Sequence, residues 1–398
     1  MDLYLSSAEA AGLLGVSRQT LYAYVSRGLV RSVQDAHVRA RRYFRPDLER
    51  LRQRKQARDR PQKELSAALH WGMPLLDSEL TLISGERFFY RGIDALELAS
   101  TEPFWSVACW FWGAERGGLF MPAGPLAAPG RGRYDPMLRM QTLLLAQARS
   151  DPGGYQWALP ALGERGAWII YQFLTLLLGR RVKPPQDVAK ALASLWVPTG
   201  MRGVAARILN AALVLAIDHE LNASSFTARV VASARASLHE AVAAAMLAFS
   251  GAAHGGMVLR VEAFLDELER SAGAGRALVN RLRAGEDTPG FGHPHPLYPS
   301  GDPRATLLLH LLNRYCRREF RRWAELLRAA ENALQQKPTF DAALALVEKT
   351  LRLPARAGFH LFALGRLAGW VAHSAEQGRS GALIRPRARY LGPIPETH

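Results

Sequence analysis

The sequence predicts an all-α protein, in which a large helical body follows a small helical module. Apolar residues recur at helical spacing through most of the chain, and a hydrophobic fraction of 48% is ample for a buried core. Strand-like alternation is confined to LTLISGERFFYRG at 80–92, which predicts a small hairpin. A charged run at 41–62 separates the two parts, so we expect one domain at 1–60 and a second at 65–398.

Local helix signals define the N-terminal module. Ser6 and Glu9 have capping-box spacing, so a first helix should start there and break at Gly15. Ser17 can cap a second helix, whose Leu21 and Val25 face a core. Its outward side chains are those of Arg18, Gln19 and Tyr22.

The residues after these helices complete the pattern of a DNA-binding module. Residues 29–44 can form a β-wing with clustered Arg39, Arg41 and Arg42, and a third helix begins at Pro46. The stretches at 5–30 and 41–51 resemble winged helix-turn-helix domains of the MerR and excisionase type. The resemblance implies DNA binding through residues 1–60, with the contacts made by Ser17, Arg18, Gln19 and Tyr22. The alternative is a helical appendage that keeps this shape without binding DNA.

Composition limits the compartment and the partners. The net charge of +16 and the pI near 10.4 suggest nucleic acid, an acidic membrane, or a phosphorylated and carboxylated substrate as a partner. The basic residues are nearly all arginine, which a GC-rich coding sequence also produces, so the global charge carries little weight. The two cysteines, Cys109 and Cys316, fit neither a metal motif nor a disulfide framework, which favours a cytoplasmic protein. The longest apolar run, at 167–178, is too short to span a bilayer, and no signal-peptide pattern precedes it. We therefore expect a soluble protein without membrane contact.

Seven segments of the body carry a second resemblance. In order they are ISGERFFYRGIDALELA (83–99), IDHELNASSFTARVVAS (217–233), SGAAHGG (250–256), GFGHPHPLYPSGDPRA (290–305), KPTFD (337–341), FALGRLAGW (362–370) and LIRPRARY (383–390). Each alone has an ordinary structural explanation, but together and in this order they resemble the citrate synthase family. The resemblance implies a two-subdomain helical fold, with a small subdomain at about 257–345 inserted into the large one.

The resemblance also implies which residues carry out the reaction. Deprotonating the methyl group of acetyl-CoA needs a carboxylate base, assigned to Asp341, together with donors that stabilise the enolate. His254 would donate to the thioester oxygen, and a histidine of the GFGH loop would polarise the ketone of the oxo-acid. The dicarboxylate acceptor needs fixed cationic partners, for which arginine is well suited. These partners are assigned to His219, Arg304, Arg366 and Arg385.

Three further expectations follow from the same resemblance. Arg385 would come from a partner subunit, so the protein should be a homodimer with a shared active site. The turn formed by Gly290, Phe291 and Gly292 is assigned to the coenzyme. No metal or bound redox cofactor is expected, because the CoA thioester is a substrate.

The chain departs from the family pattern in its histidine loop. His293 completes GFGH, whereas His295 keeps the usual spacing to Asp302, so two residues have been added. We favour His295 as the substrate contact, because the helix after Asp302 anchors it together with Arg304; His293 is the alternative. Pro296 and Pro299 interrupt a stretch that is usually basic. Ala216 replaces a substrate-facing histidine of many relatives, and Thr339 and Phe340 replace the usual Asn-Val.

These residues predict condensation of acetyl-CoA with oxaloacetate, followed by hydrolysis to citrate and CoA. A close alternative uses propionyl-CoA and yields 2-methylcitrate. A third is a DNA-binding regulator whose condensing domain senses metabolites. Of the remaining histidines, His373 is expected to be structural, and His310 and His360 to be core or surface residues.

Overall fold

A computed structural model describes residues 3–34, 40–59, 76–129, 135–271, 274–292, 297–386 and 392, with the side chains of 53–59 and 274 excepted. The described chain is predominantly helical, as expected, and it divides into two compact units. The first holds Met1–Glu97 and Phe264–Ala343, and the second holds Leu98–Ala263 and Leu344–His398. The domain boundaries inferred from the sequence stay a prediction.

The N-terminal part of the first unit follows the local signals closely. Helix α1 (Ser7–Leu14) has the Ser6–Glu9 capping box and ends on Gly15 in the left-handed conformation. Helix α2 (Arg18–Ser26) is capped by Ser17, whose hydroxyl accepts from the Thr20 amide. Strands β1 (Tyr4–Leu5), β2 (Ser32–Gln34) and β3 (Arg41–Phe44) form an antiparallel sheet in the order β1-β3-β2, and helix α3 (Arg45–Asp59) follows.

This segment has its own hydrophobic core, formed by Ala10, Ala11, Leu14, Leu21, Val30, Tyr43 and Leu48. Asp47 holds Arg31 through a two-pronged ion pair with oxygen–nitrogen distances of 2.9 Å. Arg39 lies outside the described residues. The caps and the core fix the turn between α1 and α2, and the ion pair holds the segment after α2 against α3.

The predicted hairpin is present in the first unit and gains a third strand. Strands β4 (Thr81–Ser84), β5 (Arg87–Tyr90) and β6 (Ile93–Asp94) pair in sequence order. Glu86, in the β4–β5 turn, accepts hydrogen bonds from the Ser300 amide and hydroxyl at 3.1 Å. The hairpin is thereby tied to the loop that precedes Asp302.

The rest of the first unit is a helical cluster around a two-stranded sheet. Strand β7 (Phe291–Gly292) pairs with β8 (Lys337–Pro338). The helices fully within this part are α13 (Ala274–Arg283), α14 (Pro303–Tyr315) and α15 (Arg317–Leu334). Helices α4 (Ala95–Thr101), α12 (Met257–Arg270) and α16 (Phe340–Leu351) contribute residues to both units.

The second unit is a helical bundle around one long buried helix. Its other helices are α5 (Phe104–Phe111), α6 (Pro136–Ser150), α7 (Ala161–Leu178), α8 (Val188–Trp196), α9 (Arg202–Ala216), α10 (Ala223–Ser233) and α11 (Leu238–Phe249), with 3₁₀ turns at Pro152–Tyr155 and Thr199–Met201. The long helix α17 (Ala357–Ser380) packs against α7, α9, α10 and α11. A Cβ atom at Gly365 would lie 2.5 Å from the Leu213 carbonyl oxygen, and one at Gly369 would meet that of Ile217. The two glycines therefore allow α17 to approach the end of α9.

Among the described residues, no helix is both long and apolar enough to cross a membrane.

Candidate active site

One face of α17 organises the polar residues of the second unit. Arg366, Trp370 and His373 follow one another at helical spacing and are all buried. Each contacts a different part of the segment 216–224. That segment carries His219, whose side chain is also buried.

His254 lies in the turn between α11 and α12, with its Nε2 atom 2.7 Å from the Ser224 hydroxyl. The Trp370 indole donates to the same oxygen at 3.0 Å, and Asn222 Oδ1 lies 2.8 Å from it. Because the hydroxyl has one hydrogen, two arrangements fit. Either Ser224 donates to His254 Nε2, which leaves Nδ1–H as a donor, or it donates to Asn222 and accepts from Nε2–H.

The surroundings of His254 keep its imidazole neutral. The rings of Phe249 and Phe362 pack edge-to-face against it, with centroids 5.3 and 6.5 Å away. Burial lowers the pKa of His254 to about 4, and the positive charge of Arg366 acts in the same direction. A neutral imidazole can act as a hydrogen-bond donor to an oxygen without carrying charge.

His373 is structural, as expected, but its partner connects it to the site. Its Nε2 lies 3.0 Å from Asp218 Oδ1, and both side chains are fully buried. Ser225 donates to the same carboxylate oxygen at 3.4 Å. Since Asp218 directly precedes His219, this pair fixes the backbone that presents His219.

Arg366 is positioned by its own helix and by the end of α9. Its Nε donates to the Ala216 carbonyl oxygen at 2.7 Å, and its guanidinium lies 5.0 Å from the Phe362 ring centroid. The carbonyl of Ala216 thus orients Arg366, at the position where many relatives have a histidine. Arg385 lies beyond α17 in a segment without regular secondary structure, and it is exposed.

Asp341 lies in the first turn of α16 within the first unit. Burial raises the pKa of its carboxyl to about 6, although the charge of Arg304 and a 3.4 Å hydrogen bond from Thr339 act against this. The group is therefore ionised at neutral pH yet remains a much stronger base than an exposed aspartate. A general base needs both properties.

Arg304 is held firmly in place by its own helix cap. Asp302 caps α14, accepting from the Arg304 amide at 2.9 Å, and binds the guanidinium through Nε at 3.0 Å and Nη2 at 2.7 Å. Burial alone would lower the pKa of Arg304, but Asp302 raises it above its ordinary value. The guanidinium also lies 4.7 Å from the Phe340 ring centroid.

The glycine-rich turn is hydrogen-bonded directly to the segment before Asp341. Phe291 and Gly292 pair with Pro338 and Lys337, and the Thr339 amide donates to the Gly290 carbonyl at 2.8 Å. The Phe291 ring packs against Phe264, so any coenzyme contact from this turn would use mainly its backbone. His293 and His295 lie outside the described residues.

In the N-terminal module, the side chains of Ser17, Arg18, Gln19 and Tyr22 are exposed, while Leu21 is fully buried. Val25 packs against the core of the module. The face expected to meet DNA is thus accessible within this segment. Among the other histidines, His310 is exposed and His360 is buried.

Sequence reasoning missed the residues that hold the site residues in place. Ser224 and Trp370 lie within recognised segments, but nothing in their local pattern shows that they meet. The Asp302–Arg304 pair could have been found, because Asp-Pro-Arg is a typical helix start. Within the described part of the chain, no group of three or more His, Cys, Asp or Glu side chains could hold a metal ion.

Comparison with known proteins identifies the family. The model of the citrate synthase C-terminal domain matches residues 130–387, and a helix-turn-helix domain model matches residues 4–56. A putative citrate synthase 2 of Mycobacterium bovis is 38% identical over 259 residues, which cover 63% of each chain. A citrate/2-methylcitrate synthase of Bacillus subtilis is 28% identical over 256 residues, covering 63% of this chain and 68% of the relative.

A solved structure has the same fold. It is the citrate synthase of the archaeon Thermoplasma acidophilum, in a ternary complex with carboxymethyl coenzyme A and oxaloacetate. The TM-score is 0.65 at 21% identity, with 81% of this chain and 95% of that chain covered. The matched segment spans less than two thirds of the M. bovis protein. Since the family model covers more than half of the sequence, the chain belongs to the citrate synthase family and carries an N-terminal helix-turn-helix domain.

Proposed function

We propose that the protein condenses acetyl-CoA with oxaloacetate and hydrolyses the product to citrate and CoA. The observation that carries this proposal is the protonation state of Asp341 and of His254 at neutral pH. Asp341 is an ionised carboxylate with a pKa raised to about 6, and His254 is a neutral imidazole with a pKa lowered to about 4. Enolisation of a thioester needs this combination of a base and an uncharged donor.

In the proposed reaction, Asp341 removes a proton from the methyl group of the thioester. His254 donates from Nδ1–H to the thioester oxygen, which requires the arrangement in which Ser224 donates to Nε2. The enol carbon then attacks the ketone carbon of oxaloacetate, and His295 donates to the developing alkoxide. Water finally cleaves the thioester, releasing the carboxylate and the CoA thiol.

The carboxylates of the acceptor would be bound by His219, Arg304 and Arg366. Because Asp302 occupies the Nε–Nη2 edge of Arg304, a substrate carboxylate would have to bind the edge formed by Nη1 and Nη2. We assign the coenzyme to the backbone of Gly290, Phe291 and Gly292, and we expect no metal or redox cofactor.

Release of the CoA thiol tests the proposal. The full chain is assayed with oxaloacetate and either acetyl-CoA or propionyl-CoA, and kcat/KM is compared for the two thioesters. A preference for acetyl-CoA supports citrate synthesis, whereas a preference for propionyl-CoA indicates 2-methylcitrate synthesis. Thiol release that does not depend on oxaloacetate would contradict condensation.

Two variants of the histidine loop decide between the possible donors. We expect His295→Ala to lower activity by about a hundredfold or more, because it removes the donor that stabilises the developing alkoxide. His293→Ala should cost much less. The opposite ranking would assign the role to His293.

We further propose that Arg385 acts in the active site of a second copy of the chain. Its exposure beyond α17 is compatible with this role. Mixing Arg385→Ala and Asp341→Asn chains should restore activity, because one hybrid site then has both intact residues. A lack of rescue under conditions that exchange subunits would place Arg385 in the site of its own chain.

A second candidate function is favoured by the helix-turn-helix domain. The exposed Arg18, Gln19 and Tyr22 on a capped helix suit major-groove contacts, so the chain could be a regulator that senses CoA esters or dicarboxylates. Removal of residues 1–60 separates the two functions. We expect the truncated chain to retain condensation, whereas an inactive but folded truncation would show that the module contributes to the enzyme.

A further inference from the structure

Five arginines are concentrated where α14 ends and α15 begins. The segment RYCRREFRR at 314–322 contains Arg314, Arg317, Arg318, Arg321 and Arg322, with Glu319 as its single acidic residue. All five arginines are exposed. We refer to them as the arginine cluster; no step of the proposed condensation uses them.

Helix geometry places four of the five on one outer surface. Phe320, Trp323 and Leu327 of α15 are buried and define its inner face. Arg317 and Arg321 are four residues apart, as are Arg318 and Arg322, so they form two adjacent rows on the opposite side. Among the described residues, Arg322 pairs with Glu269 at 3.2 Å, whereas no carboxylate lies within ion-pair distance of Arg317, Arg318 or Arg321.

Most of the charge in this arrangement opposes the stability of α15, and Glu319 in the first turn offsets only part of it. The positive end of the helix dipole lies at its N-terminus, where Arg317 and Arg318 stand, and no side chain caps that end. Like charges four residues apart also repel each other. An anion bound along this surface would relieve both effects, since helix N-termini and arginines are each favourable anion partners.

The shape of the cluster selects the class of anion. The four α15 arginines lie in two rows along the exposed outer face of one helix, and Arg314 lies in the last turn of the preceding helix. A compact phosphate would be bound better by converging side chains, whereas a linear polyanion can follow rows of charge along a helix. Phe320, Trp323 and Leu327 are buried, and α15 has no exposed large apolar side chain that could insert into a membrane.

We propose that the arginine cluster binds the phosphate backbone of double-stranded DNA without sequence selectivity. We choose duplex DNA rather than RNA because DNA binding is proposed for the helix-turn-helix domain. The inference that the cluster binds a polyanion does not depend on that proposal. Backbone contacts supply affinity and base contacts supply specificity. The cluster would thus strengthen binding, while α2 would supply any recognition of sequence.

The test measures DNA affinity of the full chain as a function of salt concentration, by fluorescence anisotropy with a duplex of arbitrary sequence. Each phosphate contact contributes about 0.9 to the slope of log K against log salt. In the triple variant Arg317→Ala, Arg318→Ala, Arg321→Ala, the slope should therefore fall by about 2 to 3, and affinity near 0.1 M salt by at least roughly tenfold. Replacing the same three residues by lysine should preserve most of the slope.

A matched control separates the cluster from net charge. The variant Arg180→Ala, Arg181→Ala, Arg202→Ala removes the same number of exposed charges from the second unit, which does not contain the cluster. Equal losses in both triple variants, or no binding of wild type at low salt, would overturn the proposal. So would a duplex RNA that binds tighter than DNA with the same dependence on the cluster. Loss of binding in Arg18→Ala, Gln19→Ala with no effect of the cluster would support the helix-turn-helix domain alone.

Discussion

The surroundings of Asp341 and His254 differ in charge, although burial acts on both residues. Asp341 lies among charged groups, since Arg304 and Asp302 contribute opposite effects to its pKa. His254 contacts the rings of Phe249 and Phe362 and the neutral Ser224 hydroxyl, and the charge of Arg366 acts on its pKa in the same direction as burial. Burial favours the neutral form in each case.

The difference between these regions explains how the two groups can work at one pH. The pKa of His254, lowered to about 4, keeps the imidazole neutral over the whole physiological range. Because Arg304 counteracts burial, the pKa of Asp341 rises only to about 6, and its carboxylate stays ionised at pH 7. In the proposed reaction, the charged region would supply the base, and the aromatic region would supply the donor.

The largest effect is expected when the base is removed. Asp341→Asn should lower kcat by about a hundredfold or more, because the amide cannot accept the methyl proton. Binding of oxaloacetate, measured by calorimetry, should persist. Asp287→Asn, an exposed carboxylate of the same unit, is the control. If Asp341→Asn kept more than about a tenth of the rate, Asp341 would not be the general base.

A smaller effect is expected when a neighbour of His254 in the aromatic region is replaced and His254 itself is kept. Ser224→Ala removes the hydroxyl that fixes the ring and its tautomer, so we expect kcat to fall by about ten- to a hundredfold with little change in KM for oxaloacetate. Thr227→Ala removes a hydroxyl from the same helix that bonds only back to the Ala223 carbonyl, and it should be nearly neutral. Equal effects of the two variants would mean that Ser224 does not position His254.

The sequence predicted the N-terminal module well, because its caps and apolar positions act over a few residues. Ser6, Ser17 and Leu21 all lie where the local pattern placed them. The neighbours of the site residues could not be predicted in this way. Trp370 meets Ser224 across 146 positions and His373 meets Asp218 across 155, and the packing of α17 against α9 and α10 brings these residues together. Two residues are added within the His-Pro-His-Pro stretch at 293–296. Spacing alone does not show where a loop insertion lies, so the sequence left both His293 and His295 as candidates for the substrate contact.

The fall of kcat/KM at low pH tests whether protonation of Asp341 or of His254 limits the reaction. The free enzyme must have Asp341 ionised, so kcat/KM should fall as the pH drops through about 6, before His254 is protonated near 4. Thr339→Val removes a hydrogen bond that lowers the pKa of Asp341, so this fall should move to higher pH. A fall near pH 4 that does not move in this variant would show that burial does not tune Asp341.

The smallest expected effect is on stability, and it also separates the two regions. The folded-state pKa of Asp341 lies above its ordinary value of 3.8, so the folded chain binds this proton more tightly. Stability is therefore lost as the pH rises from about 4 to 6, and the loss stays constant above that range. Asp341→Asn should then raise the free energy of unfolding at pH 7 by roughly 3 kcal/mol, with no gain below about pH 4.

For His254 the sign is opposite, because its folded-state pKa lies below 6.5 and stability is lost as the pH falls from about 6.5 to 4. Thermal unfolding of Asp341→Asn and His254→Gln across this range measures both effects. The gain from Asp341→Asn should grow with pH, whereas any gain from His254→Gln should grow as the pH falls. If the stability of the two variants changed with pH in the same direction, burial would not be favouring the neutral form of both Asp341 and His254.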